Sequence, residues 1–178
     1  MMMSARLSAS AAIFAAVALV ACSEPAPGAP PQAPIVEGPE PRPMGPGATV
    51  GGDGSDIVLN GLNLADIEAR DLPGELACSF MAGPDEDVIL LARGDVASSQ
   101  PAVGVVKVGD YVERLAAPGG FDGMIQGATF AGRGKTVEVD VTGQPVGGGE
   151  SPPRPATLTY QRADGASRAF PGQWTCGP

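Results

Sequence analysis

Hydrophobic and polar residues alternate along much of the second half of the chain. In the clearest case, residues 136–142, Val137, Val139 and Val141 alternate with threonines and acidic residues. Residues 156–161 follow the same pattern. Because successive side chains of a strand point to opposite faces of a sheet, this alternation predicts strands with one buried face.

Shorter patterns predict further strands and the turns between them. The other segments predicted as strands are 57–59, 62–64, 76–80, 88–92, 103–108, 111–115, 124–130 and the segment around Trp174. Turns are predicted at Asn60-Gly61, Gly109-Asp110 and Asp164-Gly165, because these residue pairs tolerate positive φ angles. About seven or eight short strands in this arrangement predict a mainly β fold, a small antiparallel β-sandwich or barrel.

Helical spacing is found in residues 63–72. Leu64, Ile67 and Leu72 would lie on one side of such a helix, and Pro73 would end it. A helix is therefore predicted here, with a strand as the alternative.

Composition divides the chain into two parts. Residues 23–55 hold nine prolines and seven glycines and almost no large apolar side chain. Such a stretch cannot bury enough apolar surface to offset its conformational entropy, so residues 22–55 are predicted to be a disordered linker. Residues 56–178 predict one β-rich globular domain. Within that domain, the Gly/Pro-rich stretch 147–155 predicts an exposed loop.

The chain is acidic. It carries 20 Asp and Glu against 11 Lys and Arg, a net charge of −9. Nucleic-acid binding needs a basic surface, so no nucleic-acid partner is predicted. An acidic surface also disfavours direct binding to anionic lipid headgroups.

The sequence contains no histidine. This removes the Ser-His-Asp and Cys-His arrangements, the usual zinc and copper ligand sets, and the commonest general base near neutral pH. No catalytic residue, cofactor or metal site is predicted. Two carboxylates could still hydrolyse a glycosidic bond, but the spacing of the acidic residues selects no pair.

Two short motifs have a structural explanation. Residues 85–87 (Asp-Glu-Asp) lack the spacing of a calcium-binding loop and follow Gly83-Pro84, so they predict a solvated turn. Residues 132–136 (Gly-Arg-Gly-Lys-Thr) have the end of a phosphate-binding loop. Thr129 stands where that motif needs glycine, and a strand follows instead of a helix, so a hairpin turn is predicted.

The amino end has the parts of a bacterial export signal. Arg6 is the only charged side chain before Glu24, and residues 11–21 are all apolar. This run is shorter than the roughly 20 apolar residues that a membrane-spanning helix needs. It ends in Leu19-Val20-Ala21-Cys22, which resembles the lipobox of bacterial lipoproteins.

The resemblance implies that residues 1–21 are a signal peptide and that Cys22 becomes the lipidated mature terminus. Each acyl CH₂ buried in the bilayer contributes about 0.8 kcal/mol, so two or three chains make a durable anchor. Ser23, in place of an aspartate, implies the periplasmic face of the outer membrane under the enteric sorting rule. The alternative is an ordinary secretory signal cut after Ala21, which would leave Cys22 as a free thiol.

Export to an oxidising compartment predicts a disulfide between the two remaining cysteines, Cys78 and Cys176. Cys78 shares an apolar strand face with Phe80, and Cys176 shares one with Trp174. The bridge would tie an early strand to the last. No CxxC pair is present, so a redox-active site is not predicted. Trp174 and Tyr160 could mark a binding face, but core positions are favoured.

A second resemblance concerns the folded part. An exported lipoprotein with an early Cys78-Ser79-Phe80 strand, a β-meander and Cys176 near its carboxyl end resembles the small β-barrel lysozyme inhibitors of bacterial envelopes. The resemblance covers cysteine placement and strand rhythm, and no inhibitory residue of that family can be placed on this sequence. It implies an acidic protein that caps a basic enzyme.

These features predict a lipid-anchored protein of the cell envelope, acting as a non-enzymatic binding or structural module with an envelope protein as partner. The alternatives are a lysozyme inhibitor and a carboxylate-based cell-wall hydrolase.

Overall fold

The computed structural model describes residues 47–83 and 87–178. The predicted signal peptide, the lipobox with Cys22, and the linker up to residue 46 lie outside these ranges, as do Asp85 and Glu86 of the acidic cluster. Within the described ranges, no helix is long and apolar enough to span a lipid bilayer.

The described residues form nine strands and one short helix. The strands are β1 (Leu59–Asn60), β2 (Leu76–Met81), β3 (Val88–Gly94), β4 (Ala102–Val108), β5 (Tyr111–Ala117), β6 (Gly127–Gly132), β7 (Lys135–Val141), β8 (Arg154–Arg162) and β9 (Ser167–Gly177). The helix, α1 (Leu64–Glu68), lies between β1 and β2 in the sequence.

Strands β2 to β9 form a closed antiparallel β-barrel. Each strand pairs with its neighbour in sequence, and β9 returns to pair with β2. The two-residue strand β1 pairs beyond the ring with the end of β4, where Leu59 lies opposite Val108. The prediction of a mainly β fold is confirmed, and of the two predicted architectures the barrel is the one that forms.

Alternating apolar side chains fill the barrel, as the sequence pattern predicts. The large, fully buried side chains of this core include Trp174, Tyr160, Phe80, Phe130, Ile57, Leu90, Leu115, Met124 and Leu158. Trp174 meets Phe130 edge to face, with ring centroids 6.5 Å apart. Its indole Nε1 donates a hydrogen bond of 2.8 Å to the Met124 carbonyl. Trp174 and Tyr160 are therefore core residues, in agreement with the favoured prediction.

The barrel is closed covalently as well as by hydrogen bonds. Cys78 of β2 lies directly opposite Cys176 of β9, and the two form the predicted disulfide. Two register pairs further along the same ladder, Phe80 lies opposite Trp174. The bridge thus anchors the strand pair that also carries two of the largest core side chains.

The prediction of a hairpin at Asn60-Gly61 is wrong. Strand β1 pairs with β4, and the segment predicted as 62–64 does not form a strand. Instead, the Leu62 N–H donates to the Val88 carbonyl. The apolar side chain of Leu62 is buried against the outside of the barrel and not in a sheet of its own.

Helix α1 confirms the predicted helix but is shorter than the spacing suggested. Asn63 caps it, because its side-chain oxygen accepts from the Asp66 N–H while Asp66 accepts from the Asn63 N–H. The helix ends at Glu68, well before Pro73. Leu72, which follows it, packs with Leu62 over the outer face of the barrel.

Strand β6 begins at Gly127, later than the predicted 124–130. Residues 121–126 form turns in which Met124 is fully buried. Its side chain belongs to the core cluster that also contains Trp174, so the apolar residue that suggested a strand is a buried turn residue.

The residues before Asp56 pack on the barrel, although they were predicted as linker. Val50 exchanges two backbone hydrogen bonds of 2.8 Å with Ser167. Arg162 of β8 donates to Asp53 at 2.9 Å and to the Ser55 hydroxyl at 2.8 Å. Hydrogen bonds from Ser55, and the nearby Arg162 guanidinium, lower the pKa of Asp53 to about 2. The packed chain therefore begins earlier than the composition indicated.

Removing the disulfide should destabilise the barrel. In the chain-entropy treatment, a bridge that closes a loop of this size contributes up to about 4–5 kcal/mol. We expect Cys78→Ala/Cys176→Ala, built on a Cys22→Ala background, to lower the free energy of unfolding in urea by about 2–5 kcal/mol. Reductant should lower the stability of the Cys22→Ala parent similarly and leave the triple variant unchanged. Labelling of two thiols in the unfolded, unreduced parent would contradict the bridge.

Candidate functional site

The barrel wall has a weak junction between β5 and β6. These strands share a single register pair, Ala116 with Ala131, whereas β4 and β5 share seven. Strand β6 ends at Gly132 and the chain turns back into β7 at Lys135, with Gly134 at φ +67° in the turn. Beyond that turn, no other strand among the described residues pairs with the β6-facing edge of β5.

Gly132 marks the point at which β6 stops following β5. A Cβ atom on Gly132 would lie 2.6 Å from the Leu115 Cδ2 and 3.0 Å from the Arg114 carbonyl oxygen. The absence of a side chain therefore lets β6 reach β5 here. From Arg114 back to Tyr111, the edge of β5 borders a groove.

The groove has a volume of about 670 Å³ and crosses the junction. It combines residues from the turn after α1, from β4, β5 and β6, and from the β6–β7 hairpin. Its lining is Arg70, Val103, Tyr111, Val112, Glu113, Arg114, Leu115, Ala116, Ala131, Arg133 and Lys135. Tyr111 is 78% exposed, which is unusual for so large a side chain in a strand.

The charge of the groove is opposite to that of the protein. Four cations line it against a single carboxylate, in a chain whose net charge is −9. Arg70 and Arg133 are exposed, and neither pairs with a carboxylate among the described residues. The groove is therefore a local basic patch on an acidic surface.

Arg114 holds one side of the groove in place. Its Nη1 donates to the backbone carbonyls of Arg70, at 3.0 Å, and Asp71, at 3.3 Å. These bonds tie the turn after α1 to the middle of β5, so that Arg70 is carried to the groove. Asp71 adopts φ +42° in this turn, a conformation that Asp tolerates better than most residues.

The one carboxylate of the groove is engaged on both oxygens. Glu113 Oε1 pairs with Lys135, and Oε2 accepts a hydrogen bond of 3.2 Å from the Tyr160 hydroxyl. Burial, followed by the charge of Glu113, raises the pKa of Tyr160 above its ordinary value. Lys135 is thereby neutralised by Glu113, which leaves the three arginines as the excess positive charge.

Four segments singled out from the sequence contribute to this groove. The predicted helix 63–72 contributes Arg70, and the predicted strands 103–108 and 111–115 contribute Val103 and most of the β5 lining. The motif at 132–136 contributes Arg133 and Lys135. That motif is a hairpin turn between β6 and β7, as predicted, and not a phosphate-binding loop. The disulfide lies at the β2–β9 ladder and contributes nothing to the groove.

No metal site was predicted, and the described residues hold no group of three His, Cys, Asp or Glu side chains arranged to bind a metal ion. Of the acidic cluster 85–87, Asp87 alone is described, and it is exposed. Cys22, the predicted lipidation site, lies outside the described ranges.

Sequence reasoning missed the groove. Arg70, Arg114 and Arg133 are far apart in the chain, and the excess of acidic residues concealed their cluster. The exposed Tyr111, directly after the Gly109-Asp110 turn, is the one local signal that could have been noticed.

No protein-family model, curated protein or solved structure matches this chain. The interpretation of the groove therefore depends on its geometry and charge.

The coupling between Tyr160 and Glu113 can be measured by titration. Tyr160 is one of two tyrosines, so Tyr111→Phe leaves it as the only phenol in the chain. Because its pKa is raised in the folded state, its contribution to stability is complete below pH 10 and is lost as the pH rises further. We expect ultraviolet absorbance to show ionisation of Tyr160 well above the ordinary phenol range.

Adding Glu113→Gln should shift that ionisation to lower pH, since it removes a neighbouring negative charge. Glu138→Gln, an exposed change on β7, serves as the control and should not shift it. Equal titrations in all three backgrounds would contradict the coupling.

Proposed function

We propose that this chain is a lipid-anchored protein of the bacterial cell envelope that acts as a non-enzymatic binding module. Its barrel would hold a partner in the groove between β5 and β6. The observation that carries the proposal is the combination, in one groove, of a strand edge that pairs with the described strands only at Ala116 and a cluster of arginines on an otherwise acidic protein.

The anchor is supported by the sequence. The lipobox-like Leu19-Val20-Ala21-Cys22 follows an apolar export signal, and a Pro/Gly-rich linker separates Cys22 from the barrel. A linker of this composition gives a tethered domain reach from the membrane surface. Ser23 favours the periplasmic face of the outer membrane as the location.

A binding role is favoured over catalysis by the groove's side chains. Glycoside hydrolysis generally uses two carboxyl groups, and the groove offers Glu113 alone, already paired with Lys135. The chain has no histidine to act as a general base near neutral pH. Arginines and an exposed tyrosine are typical of residues that anchor protein partners.

The alternative of a lysozyme inhibitor receives no support from the groove. A basic enzyme would be repelled by Arg70, Arg114 and Arg133. An inhibitor of that kind would have to use another, acidic face of the barrel.

Cys22→Ala should release the protein from the membrane. Without its thiol the mature terminus cannot carry the diacylglycerol, and a barrel with an acidic surface has little affinity for anionic lipid. We expect the wild-type chain in the membrane fraction of the producing bacterium and the variant in the soluble envelope fraction. Ser23→Ala, the neighbouring change, should stay with the membrane. Retention of Cys22→Ala in the membrane fraction would refute the anchor.

The partner site can be mapped with a photo-crosslinking amino acid placed at Tyr111 in cells. We expect crosslinking to one dominant protein. The same amino acid at Val146, an exposed position in the loop after β7, should not give that product. Identical products from the two positions would remove the groove from the proposal, and no product from Tyr111 would argue against a protein partner.

A further inference from the structure

Among the described residues, the groove between β5 and β6 combines a strand edge that pairs once, at Ala116, with a cluster of arginines. We propose that it binds an extended, acidic polypeptide segment, which adds to the free edge of β5 as an extra strand. This inference rests on the proposed binding function and specifies the chemistry of the partner.

The strand edge provides the main-chain part of the recognition. Strand β5 is held along its full length by β4, from Ala102 opposite Ala117 to Val108 opposite Tyr111. Its other edge pairs once, at Ala116, and is without a strand partner from Tyr111 to Arg114 in the described part of the chain. A rigid edge with unpaired N–H and C=O groups is a template for an added strand.

The arginines provide the electrostatic part of the recognition. Arg70 and Arg133 stand on opposite sides of the groove, on the turn after α1 and on the β6–β7 hairpin, and Arg114 lies on β5 between them. Guanidinium groups bind carboxylates through paired hydrogen bonds. A segment that enters between the two sides would therefore be favoured if it carries Asp or Glu.

Apolar side chains alternate with the arginine on the strand. Val112, Arg114 and Ala116 occupy every second position of β5, so they share one face of the sheet. The side chains of an added strand also alternate, and those on this face would lie beside Val112 and Arg114 as cross-strand neighbours. A segment with small apolar and acidic side chains on one face would therefore fit beside Val112, Arg114 and Ala116.

An anionic glycan or a lipid surface could pair with the arginines of the groove but not with the main chain at the edge of β5. Neither has a backbone that pairs with N–H and C=O groups in strand register. The exposed edge of β5 therefore favours polypeptide over these ligands.

The test uses the full-length lipidated protein in detergent and a fluorescent short peptide in which glutamate and valine alternate. We expect binding by fluorescence anisotropy that weakens with added salt, because the arginines are exposed. A matched peptide with glutamine in place of glutamate should bind about tenfold more weakly or worse, as expected for lost charge-assisted hydrogen bonds. A glutamate peptide N-methylated at alternate residues, which cannot pair along one edge, should lose a similar factor.

Protein variants and amide exchange locate the site. Arg133→Glu should weaken binding of the glutamate peptide about tenfold or more, since it reverses a charge at the groove. Arg154→Glu makes the same charge change at the other end of the barrel and should leave the affinity within about twofold. Among Tyr111 to Arg114, the amides that point to the open edge of β5, every second one along the strand, should exchange more slowly when the unmodified peptide is bound.

Each contrary outcome has a defined meaning. Equal binding of the N-methylated peptide would overturn strand addition. Slowed exchange at these amides with phosphatidylglycerol vesicles, and with no peptide, would assign the groove to lipid and overturn the inference. If no peptide binds while Tyr111 still crosslinks one protein, the inference fails and the proposed function stands. If both experiments are negative, both fail.

Discussion

The architecture depends on the pairing of the first and last barrel strands. Seven of the eight contacts around the ring join strands adjacent in sequence, and β2 with β9 is the contact that turns a meander into a barrel. It is also the most expensive contact in chain entropy, because it closes nearly the whole domain into one loop. The disulfide between Cys78 and Cys176 makes this contact covalent, and Phe80 and Trp174 pack beside it.

With the ring closed at β2 and β9, its weakest contact lies between β5 and β6. The strands on either side of this contact are paired through two-residue turns, β4 with β5 and β6 with β7, and such turns fix the register of a strand pair. Residues 118–126, by contrast, form an extended connection whose Phe121 and Met124 are buried in the barrel core. Strand β6 is therefore displaced along β5 and pairs only near its end, at Ala116. The β6–β7 hairpin then turns away and leaves the edge of β5 from Tyr111 to Arg114 without a partner among the described strands. The groove is the direct result of that offset.

The offset also explains the charge of the groove. The turn after α1 is held at β5 by Arg114, and the β6–β7 hairpin carries Arg133 to the other side. Lys135 of the groove and the buried Tyr160 keep the carboxylate of Glu113 occupied. This basic groove is the feature on which the proposed capture of a partner depends.

The local features of this molecule are determined by the sequence. Alternation such as that of Val137 and Val139 specifies strands and their buried faces, because side-chain direction in a strand depends on neighbouring residues. The turns at Gly109-Asp110 and Asp164-Gly165 and the helix near residue 63 follow from equally local chemistry. The disulfide follows from the number of cysteines, because Cys78 and Cys176 are the two that remain beyond Cys22. The groove was decided by tertiary structure, since its arginines come from separate elements and meet through the register of strands around the ring. The start of the packed chain was decided in the same way, because Val50 and Asp53 are ordered by contacts with β8 and β9 that their own Gly-rich surroundings do not reveal.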